Sequence, residues 1–383
     1  MTEEVSNKSP QALRIGCAVF FFISGFGYSS WASRIPTLQQ QLHLNEAQLG
    51  AVLFALPIGL MLTLPITGRL LSHYASRTIM IIGALLFNAV LCFLGFATAV
   101  WQLVLMLFCL GSARNLLNLS VNAQSVSVQS LYSKSIITTF HGIWSLAGFA
   151  GAAVGYLMVK MNIPATYHLL AAGAVLVVAS LYFYPYTFYQ KPVNTGPKPL
   201  LLLPDKSMLK FALICFASMA CENTMYDWSA IYFEKAVHAS KAASTAAFVA
   251  YMVAMTAARL TGDKLVNRIG IKAMLNYSGW LILAGLLLAV LLPYTITAGA
   301  GFMLVGLGVA CVVPLVFSIA GKSATLSSGA AIASISTIGY LGFLVVPPFV
   351  GFVAQAAGLQ WSFGLIALLG GLMIWMVSKI EEE

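Results

Sequence analysis

The sequence has few charged residues for its length. Of its 383 residues, 8% are Asp, Glu, Lys or Arg and 60% are hydrophobic, whereas a soluble domain carries about 25% charged and about 45–50% apolar residues. So few charges cannot cover a water-facing surface of this size, which excludes a soluble enzyme, a nucleic-acid-binding protein and a disordered chain. A membrane-spanning helix with a short connection uses about 30 residues, so the chain has room for about twelve spans and for no soluble domain.

Several chemical signatures are also missing from the sequence. The six cysteines lie in apolar stretches without CxxC or metal-ligand spacing, so we expect neither a disulfide framework nor a metal site. There is no P-loop and no nucleophile–base motif, which disfavours ATP-driven transport and catalysis. We therefore expect no cofactor and no enzymatic activity. The formal charge of +9 is typical of the basic loops of membrane proteins and does not indicate nucleic acid.

Hydrophobic runs bounded by charges, Pro, Gly and short polar loops predict an all-α membrane protein with twelve spans. The predicted spans are 14–35, 46–70, 78–98, 101–128, 135–160, 164–186, 208–235, 243–266, 271–292, 295–320, 328–355 and 360–379. The longest polar connection, 190–207, is rich in Pro and Lys and lies near the middle of the chain. It is predicted to be an exposed cytoplasmic linker between an N-terminal six-helix bundle, 1–189, and a C-terminal six-helix bundle, 208–383. Basic residues concentrate in the loops on one side, which predicts that both termini are cytoplasmic.

An internal repeat supports the division into two halves. Four residue pairs recur at offsets of 194 to 197: Trp31 with Trp228, Gly68 with Gly262, Arg77 with Lys272, and Gly111 with Gly306. Parallel six-helix repeats of this kind build a large class of secondary transporters, which bind their substrates between the halves.

Two loops of the chain resemble a hallmark of the major facilitator superfamily. The family's G-x-L-x-D-R-x-G-R-K loop is similar to GRLLSHYASR at Gly68–Arg77, where Ser72 and Ala75 replace the family's Asp and Gly, and to RLTGDKLVNRIGIK at Arg259–Lys272. In the family these loops lock the cytoplasmic side through charge pairs, and a pair of Arg259 with Asp263 is expected here. The resemblance implies a cytoplasmic gate formed by Gly68, Arg69, Arg77, Arg259, Asp263 and Arg268.

Five stretches are similar to bacterial permeases that group near fucose permease. They are WASRIP, VNAQ, FHGIWS, ENTMYDW and GYLGFLVVPPFVGF, beginning at Trp31, Val121, Phe140, Glu222 and Gly339. The resemblance implies two pseudo-symmetric six-helix bundles in a bacterial inner membrane. It also implies that the aromatic residues of these stretches line the substrate cavity, namely Trp31, Trp144, Trp228 and Tyr340. Alternatively, aromatic residues near span ends are interfacial anchors, as is expected for Trp31 beside Arg34.

Glu222 and Asp227, both in the seventh span, are the predicted intramembrane carboxylates, because the other nine acidic residues lie in tails, in loops or near helix ends. A charge at the bilayer centre costs about 2.5–3.5 kcal/mol on insertion scales, so these residues are candidates for proton coupling. Burial generally favours the protonated form of a carboxylate, which would let Glu222 take up and release a proton. The alternatives are a structural hydrogen-bonding role for Glu222 and a gating role for Asp227. Fucose-permease-type coupling uses carboxylates in the first half, where this chain has none inside a span, so the coupling ion stays open.

The fourth predicted span has a polar stripe. Arg114, Asn118 and Asn122 recur every four residues and therefore share one face of the helix. Arg114 is expected either to bind an anionic or hydroxyl-rich substrate or to pair with Glu222. His141 of the fifth span is either a buried core residue or a contact for substrate or protons.

The sequence thus predicts a monomeric secondary transporter that moves a small polar metabolite, such as a sugar or sugar derivative, together with protons. Its partners would be the substrate, protons and the lipid bilayer. One rival is a proton-antiport exporter of amphiphilic compounds; the lack of a Pro in the fifth span, where such exporters often carry a G-P motif, argues against it. A non-transporting receptor is the other rival, and the absence of a soluble signalling domain argues against that.

Overall fold

The chain was examined as a computed structural model that describes residues 8–133, 136–189, 204–206, 208–320 and 328–380. The side chains of Thr138, 328–330 and 332–333 are excluded from that description. Of the predicted linker 190–207, residues 190–203 and 207 lie outside the described residues.

The described residues are helical and form the twelve predicted spans. The first six are Pro10–Ala32, Glu46–Leu53 continued by Ala55–His73, Ser76–Leu94, Val100–Gln129, Ile137–Lys160 and Ala165–Phe183. The other six are Leu209–Lys235, Lys241–Ile269, Ile271–Leu291, Thr295–Val309 continued by Val312–Ala320, Ser328–Ala357 and Leu359–Ser378. A short helix, Ile35–Gln41, follows the first span, and a 3₁₀ turn, Tyr184–Tyr186, extends the sixth. The predicted all-α class and helix count are confirmed.

The seventh span differs in composition from the others. Eleven helices in the described part of the chain are long and apolar enough to cross a membrane. The seventh has the length, 27 residues, but the run from Glu222 to Asp227 includes four polar or charged side chains that lower its mean hydropathy. The least apolar span is therefore the one that carries both predicted intramembrane carboxylates.

The helices group into two compact units. The first unit contains the described residues of 1–42 and 55–198, and the second contains 43–54 and the described residues of 199–383. Within the second unit, the short helix Glu46–Leu53 packs against the eleventh span, where Gly50 lies against the backbone of Pro347 and Gly351. The predicted bundle boundaries at 189 and 208 stay a prediction.

Both units use the same packing pattern. In the first unit the first span packs on the fifth, the second on the fourth, and the third on the fourth and sixth. In the second unit the seventh packs on the eleventh, the eighth on the tenth, and the ninth on the tenth and twelfth. Each pairing recurs six spans later, so the repeat read from residue offsets is also present in the packing of the helices.

The repeat-related glycines Gly111 and Gly306 have equivalent positions in this pattern. A Cβ atom at Gly111 would overlap the carbonyl oxygen of Leu56 in the second span, and one at Gly306 would overlap the carbonyl oxygen of Tyr251 in the eighth. Small residues of this kind let helix backbones approach closely in membranes. The close crossings of spans two with four and eight with ten therefore require glycine.

We predict that Gly111→Ala and Gly306→Ala each lower the Tm of the purified protein, because overpacking costs about 1–3 kcal/mol. Thermal unfolding in detergent measures the effect. Gly364→Ala and Gly371→Ala are matched helical controls, since a Cβ at either position meets no atom within 4 Å. Equal Tm values for the Gly111 and Gly364 variants would contradict the packing role.

Candidate functional site

The guanidinium of Arg114 lies over an aromatic ring of the first span. Its Cζ atom is 3.6 Å from the centroid of the Tyr28 ring, and both residues are buried. This is a cation–π contact, which stabilises the charge through the negative face of the ring. The Nε atom of Arg114 is buried and has no hydrogen-bond acceptor, so Arg114 retains an unused donor.

The first unit has no acidic residue among its described positions. These positions contain seven basic residues, which are Lys8, Arg14, Arg34, Arg69, Arg77, Arg114 and Lys160. No carboxylate among the described residues of its own unit can therefore neutralise Arg114. A buried charge without a paired counter-charge is expensive, so an arginine in this position has a high affinity for an anionic group.

Three neighbouring spans bring polar groups together one turn further along the fourth span. Ser24 of the first span donates from Oγ to Oδ1 of Asn118 at 2.6 Å, and Trp144 of the fifth span donates from Nε1 to Oγ of Ser24 at 3.4 Å. Ser24 precedes Tyr28 by four residues, so the two side chains share one face of the first span. The structure thus gathers Arg114, Asn118 and Trp144, three of the predicted substrate residues, in one cluster.

Two further predicted residues lie at the edge of this cluster. Asn122 is exposed and donates from Nδ2 to the carbonyl oxygen of Asn118 at 2.8 Å. His141 is exposed and therefore is not a buried core residue; its ring meets that of Phe21 edge-on at 5.4 Å. His141 precedes Trp144 by three residues, which places both on the same side of the fifth span.

The neighbouring residue Asn115 faces a different helix. It is buried and donates from Nδ2 to Oγ1 of Thr67 in the second span at 2.9 Å. Asn115 therefore connects the second and fourth spans. The polar stripe of the fourth span consists of Arg114, Asn118 and Asn122 without it.

The two repeat-related tryptophans are completely buried. Trp31 is 1% exposed and Trp228 is 0% exposed, and the Nε1 atom of each has no acceptor. Such burial is typical of packing residues. Tyr340 is half-buried, with its ring 6.4 Å from that of Phe343 in the eleventh span. Substrate contact by these three aromatic residues stays a prediction.

Glu222 forms an ion pair within the second unit. Its Oε1 atom is 3.4 Å from Nη2 of Arg259 in the eighth span, and Arg259 also donates from Nε to the carbonyl oxygen of Ala310 at 3.0 Å. Ala310 lies at the interruption of the tenth span, where a helix end leaves carbonyl groups available to donors. Arg259 thus connects the carboxylate of the seventh span to the break in the tenth. The alternative pairing of Glu222 with Arg114 stays a prediction.

Asp227 has a separate partner. Its Oδ2 atom accepts a hydrogen bond from Nδ2 of Asn223 at 3.0 Å, and the contact is buried. A separation of five residues rotates Asp227 by about 140° from Glu222 around the helix. One carboxylate therefore pairs with a cation and the other with an amide, which supports different tasks for the two.

The predicted gate residues are mostly on the surface. Gly68, Arg69, Asp263 and Arg268 are exposed. The Arg77 guanidinium lies 5.6 Å from the centroid of the Tyr184 ring and 4.5 Å from that of Tyr189. Arg259 contacts Glu222, the predicted proton-coupling residue, so Arg259 is a candidate for proton coupling as well as for the gate. The gating role of all six residues stays a prediction.

Reasoning from sequence missed two residues and one pairing in these clusters. The missed residues, Ser24 and Tyr28, carry a usable signal, since they lie four residues apart and therefore on one face of the first span. The contact of Glu222 with Arg259 has no such signal, because the partners are 37 residues apart on different spans. Among the residues that the structure describes, no three His, Cys, Asp or Glu side chains are grouped as metal ligands would be.

Comparison with known proteins identifies the family. The sequence model of the Major Facilitator Superfamily matches residues 17–328 and 211–382. The chain is 31% identical over 364 residues to an uncharacterised MFS-type transporter of Yersinia pestis, covering 93% of this chain and 92% of that protein. It is also 31% identical over 373 residues to an uncharacterised transporter of Sinorhizobium fredii, covering 96% of this chain and 98% of that protein.

A solved structure shows the same fold. A mutant of the nucleoside transporter NupG superimposes with a TM-score of 0.75 at 15% identity, over 96% of this chain and 99% of that one. At this identity the likeness concerns the fold alone. Together with the family match over most of the sequence, it establishes that this multi-pass membrane protein belongs to the major facilitator superfamily of transporters.

Proposed function

We propose that the chain is a proton-coupled secondary transporter of a small polar metabolite that carries an anionic group, such as a sugar acid or other sugar derivative. It acts as a monomer in a bacterial inner membrane, with both termini in the cytoplasm. The observation that carries the proposal is the separation of charge: the described first unit has cations and no carboxylate, whereas the second unit holds Glu222 in an ion pair.

Arg114 supplies the recognition of the anionic group. A guanidinium binds carboxylate or phosphate oxygens through parallel N–H donors, and the Nε donor of Arg114 is unused. Beside it, Ser24, Asn118 and Trp144 offer hydroxyl, amide and indole groups that suit the hydroxyls and flat faces of a sugar derivative. A mostly polar cluster of this kind is poorly suited to an amphiphilic compound, which disfavours the exporter.

Glu222 supplies the proton coupling. Its 3.4 Å contact with Arg259 is longer than the 2.7–2.9 Å or so of a strong charge-assisted hydrogen bond. Protonation of Glu222 removes the negative charge and releases Arg259, which keeps its bond to the carbonyl oxygen of Ala310. A local change of charge that makes or breaks an ion pair can shift the equilibrium between two conformations of a protein.

The repeated packing of the two units supports alternating access as the transport cycle. Transporters built from parallel repeats work by rocking one half against the other around a fixed binding site. The resemblance to permeases near fucose permease stays a prediction about the branch of the family and does not fix the substrate.

We predict that Glu222→Gln abolishes substrate-driven proton movement, because an amide cannot exchange a proton. The assay uses proteoliposomes with an internal pH dye and a panel of neutral sugars, sugar acids, other organic acids and cationic dyes. Glu234→Gln, which alters a carboxylate near the end of the same span, is the matched control and should behave as wild type. A Glu222→Gln protein that still moves protons with substrate at the wild-type rate would refute the assignment.

We predict that Arg114→Gln weakens the binding of anionic members of the panel by at least about tenfold and leaves neutral sugars unaffected. Hydrogen bonds to charged groups contribute about 1.5–3 kcal/mol, and each 1.4 kcal/mol or so changes affinity tenfold. Equilibrium binding by the purified protein measures the effect, with the exposed Lys160→Gln as control. Unchanged affinity for every anionic ligand in Arg114→Gln would remove Arg114 from the site.

We predict that Arg259→Met lowers the free energy of unfolding by about 3–5 kcal/mol, because it leaves a buried carboxylate without its cation. The double variant Glu222→Gln with Arg259→Met should recover much of this loss. Chemical unfolding in detergent measures both, and Lys264→Met, which removes an exposed cation of the same span, is the control. Additive effects of the two single substitutions would show that the ion pair is not energetically coupled.

A further inference from the structure

A second buried cation lies at the end of the first span. Arg34 is 2% exposed and donates from Nε to Nδ1 of His168, near the start of the sixth span, at 3.0 Å. His168 is itself 3% exposed. This pair belongs to neither the Arg114 cluster nor the Glu222 ion pair.

The direction of that hydrogen bond assigns the protons of the pair. An arginine side chain can only donate, so Nδ1 of His168 is the acceptor and the proton of the neutral imidazole is on Nε2. Both Nε2 of His168 and Nη2 of Arg34 are buried without an acceptor in the described chain. Two N–H donors beside a positive charge are therefore unsatisfied. An acceptor with a negative charge would accept both hydrogen bonds and also neutralise the guanidinium.

Arg34 remains charged at neutral pH and has no carboxylate counter-charge among the described residues of its unit. Burial lowers the pKa of Arg34 to about 10, which still keeps the guanidinium protonated at pH 7. Of the seven described cations of the first unit, Arg69 is exposed, and five lie over tyrosine rings: Lys8, Arg14, Arg77, Arg114 and Lys160. Only Arg34, among these seven, is buried and has neither a ring contact nor a carboxylate.

The internal repeat shows that the fold does not require a cation at this position. The offset of 197 that aligns Trp31 with Trp228 also aligns Arg34 with Ile231. Ile231 is 1% exposed, so an apolar side chain fills the equivalent place in the second unit. Packing alone therefore does not account for Arg34, because burying a charge costs free energy that an apolar side chain would not.

The surroundings of the pair are tightly packed. A Cβ atom at Gly155 in the fifth span would overlap Oγ of Ser33 and would lie 3.8 Å from Cε1 of His168. Ser33 is 1% exposed. An occupant held among the ends of the first, fifth and sixth spans must be small.

We infer that Arg34 and His168 form a binding site for a small monovalent inorganic anion of the chloride type. Such an ion accepts hydrogen bonds without donating any and matches the single charge of Arg34. It would stabilise the first unit, since a ligand that binds only the folded state raises its stability in proportion to the logarithm of its concentration.

The test is the thermal unfolding of the purified full-length protein at constant ionic strength, with sodium gluconate progressively replaced by sodium chloride or sodium bromide. We expect both halides to raise Tm in the wild type, with the rise growing as the logarithm of halide concentration above the dissociation constant. Arg34→Met should lose this rise while unfolding at or above the Tm of the wild type in gluconate, because the buried charge is gone. Lys160→Met, which removes an exposed cation of the fifth span, should keep the full rise.

A second variant, His168→Phe, tests the same site in case the Arg34→Met protein does not fold. His168→Phe removes the Nε2 donor but keeps Arg34, and it should raise the chloride concentration at which Tm begins to rise at least tenfold. A wild-type Tm that does not respond to halide, or a response that persists in Arg34→Met, would overturn the inference. A response to acetate or formate but not to halides would overturn the assignment to an inorganic anion.

Discussion

The first unit must hold seven cations in an apolar helical bundle without one carboxylate among its described residues. Tyrosine rings take the place of anions at five of these cations, and the contact of Arg114 with Tyr28 is the shortest, at 3.6 Å. A ring face contributes about 0.5–2 kcal/mol and leaves the net charge in place. The unit therefore attracts anions, most strongly where a cation is buried and still has a free N–H donor, as at Arg114 and Arg34.

The second unit contains basic residues as well, but it also holds every acidic residue that the structure describes. Its ion pairs join Glu222 to Arg259 and Glu46 to Lys235. A carboxyl group exists in a protonated and an ionised form, whereas an arginine stays charged. In the proposed cycle the fixed charge of the first unit recognises the substrate, and the variable charge of the second unit responds to protons.

Much of the fold could be predicted because hydropathy over about 20 residues reports a membrane span directly. The break at Phe54 and the pairing of Glu222 with Arg259 could not, since both depend on how helices rotate and pack against one another. Family resemblance implied that Trp31 lines the substrate cavity, and its position beside Arg34 near a span end suggested an interfacial anchor instead. Both residues are at least 98% buried. Motif membership does not separate packing residues from ligand contacts, because that distinction depends on which groups each side chain meets in the fold.

Proton exchange at Glu222 is the step on which the proposed coupling depends most. Infrared difference spectra recorded between high and low pH, on protein reconstituted in lipid, detect the C=O stretch of a protonated carboxylic acid directly. The proposed mechanism predicts that the carboxylic-acid band of the wild type has a component, at the frequency of a carboxyl group shielded from water, that is missing from Glu222→Gln and kept in Glu234→Gln. A band of equal intensity in the wild type and Glu222→Gln would contradict it.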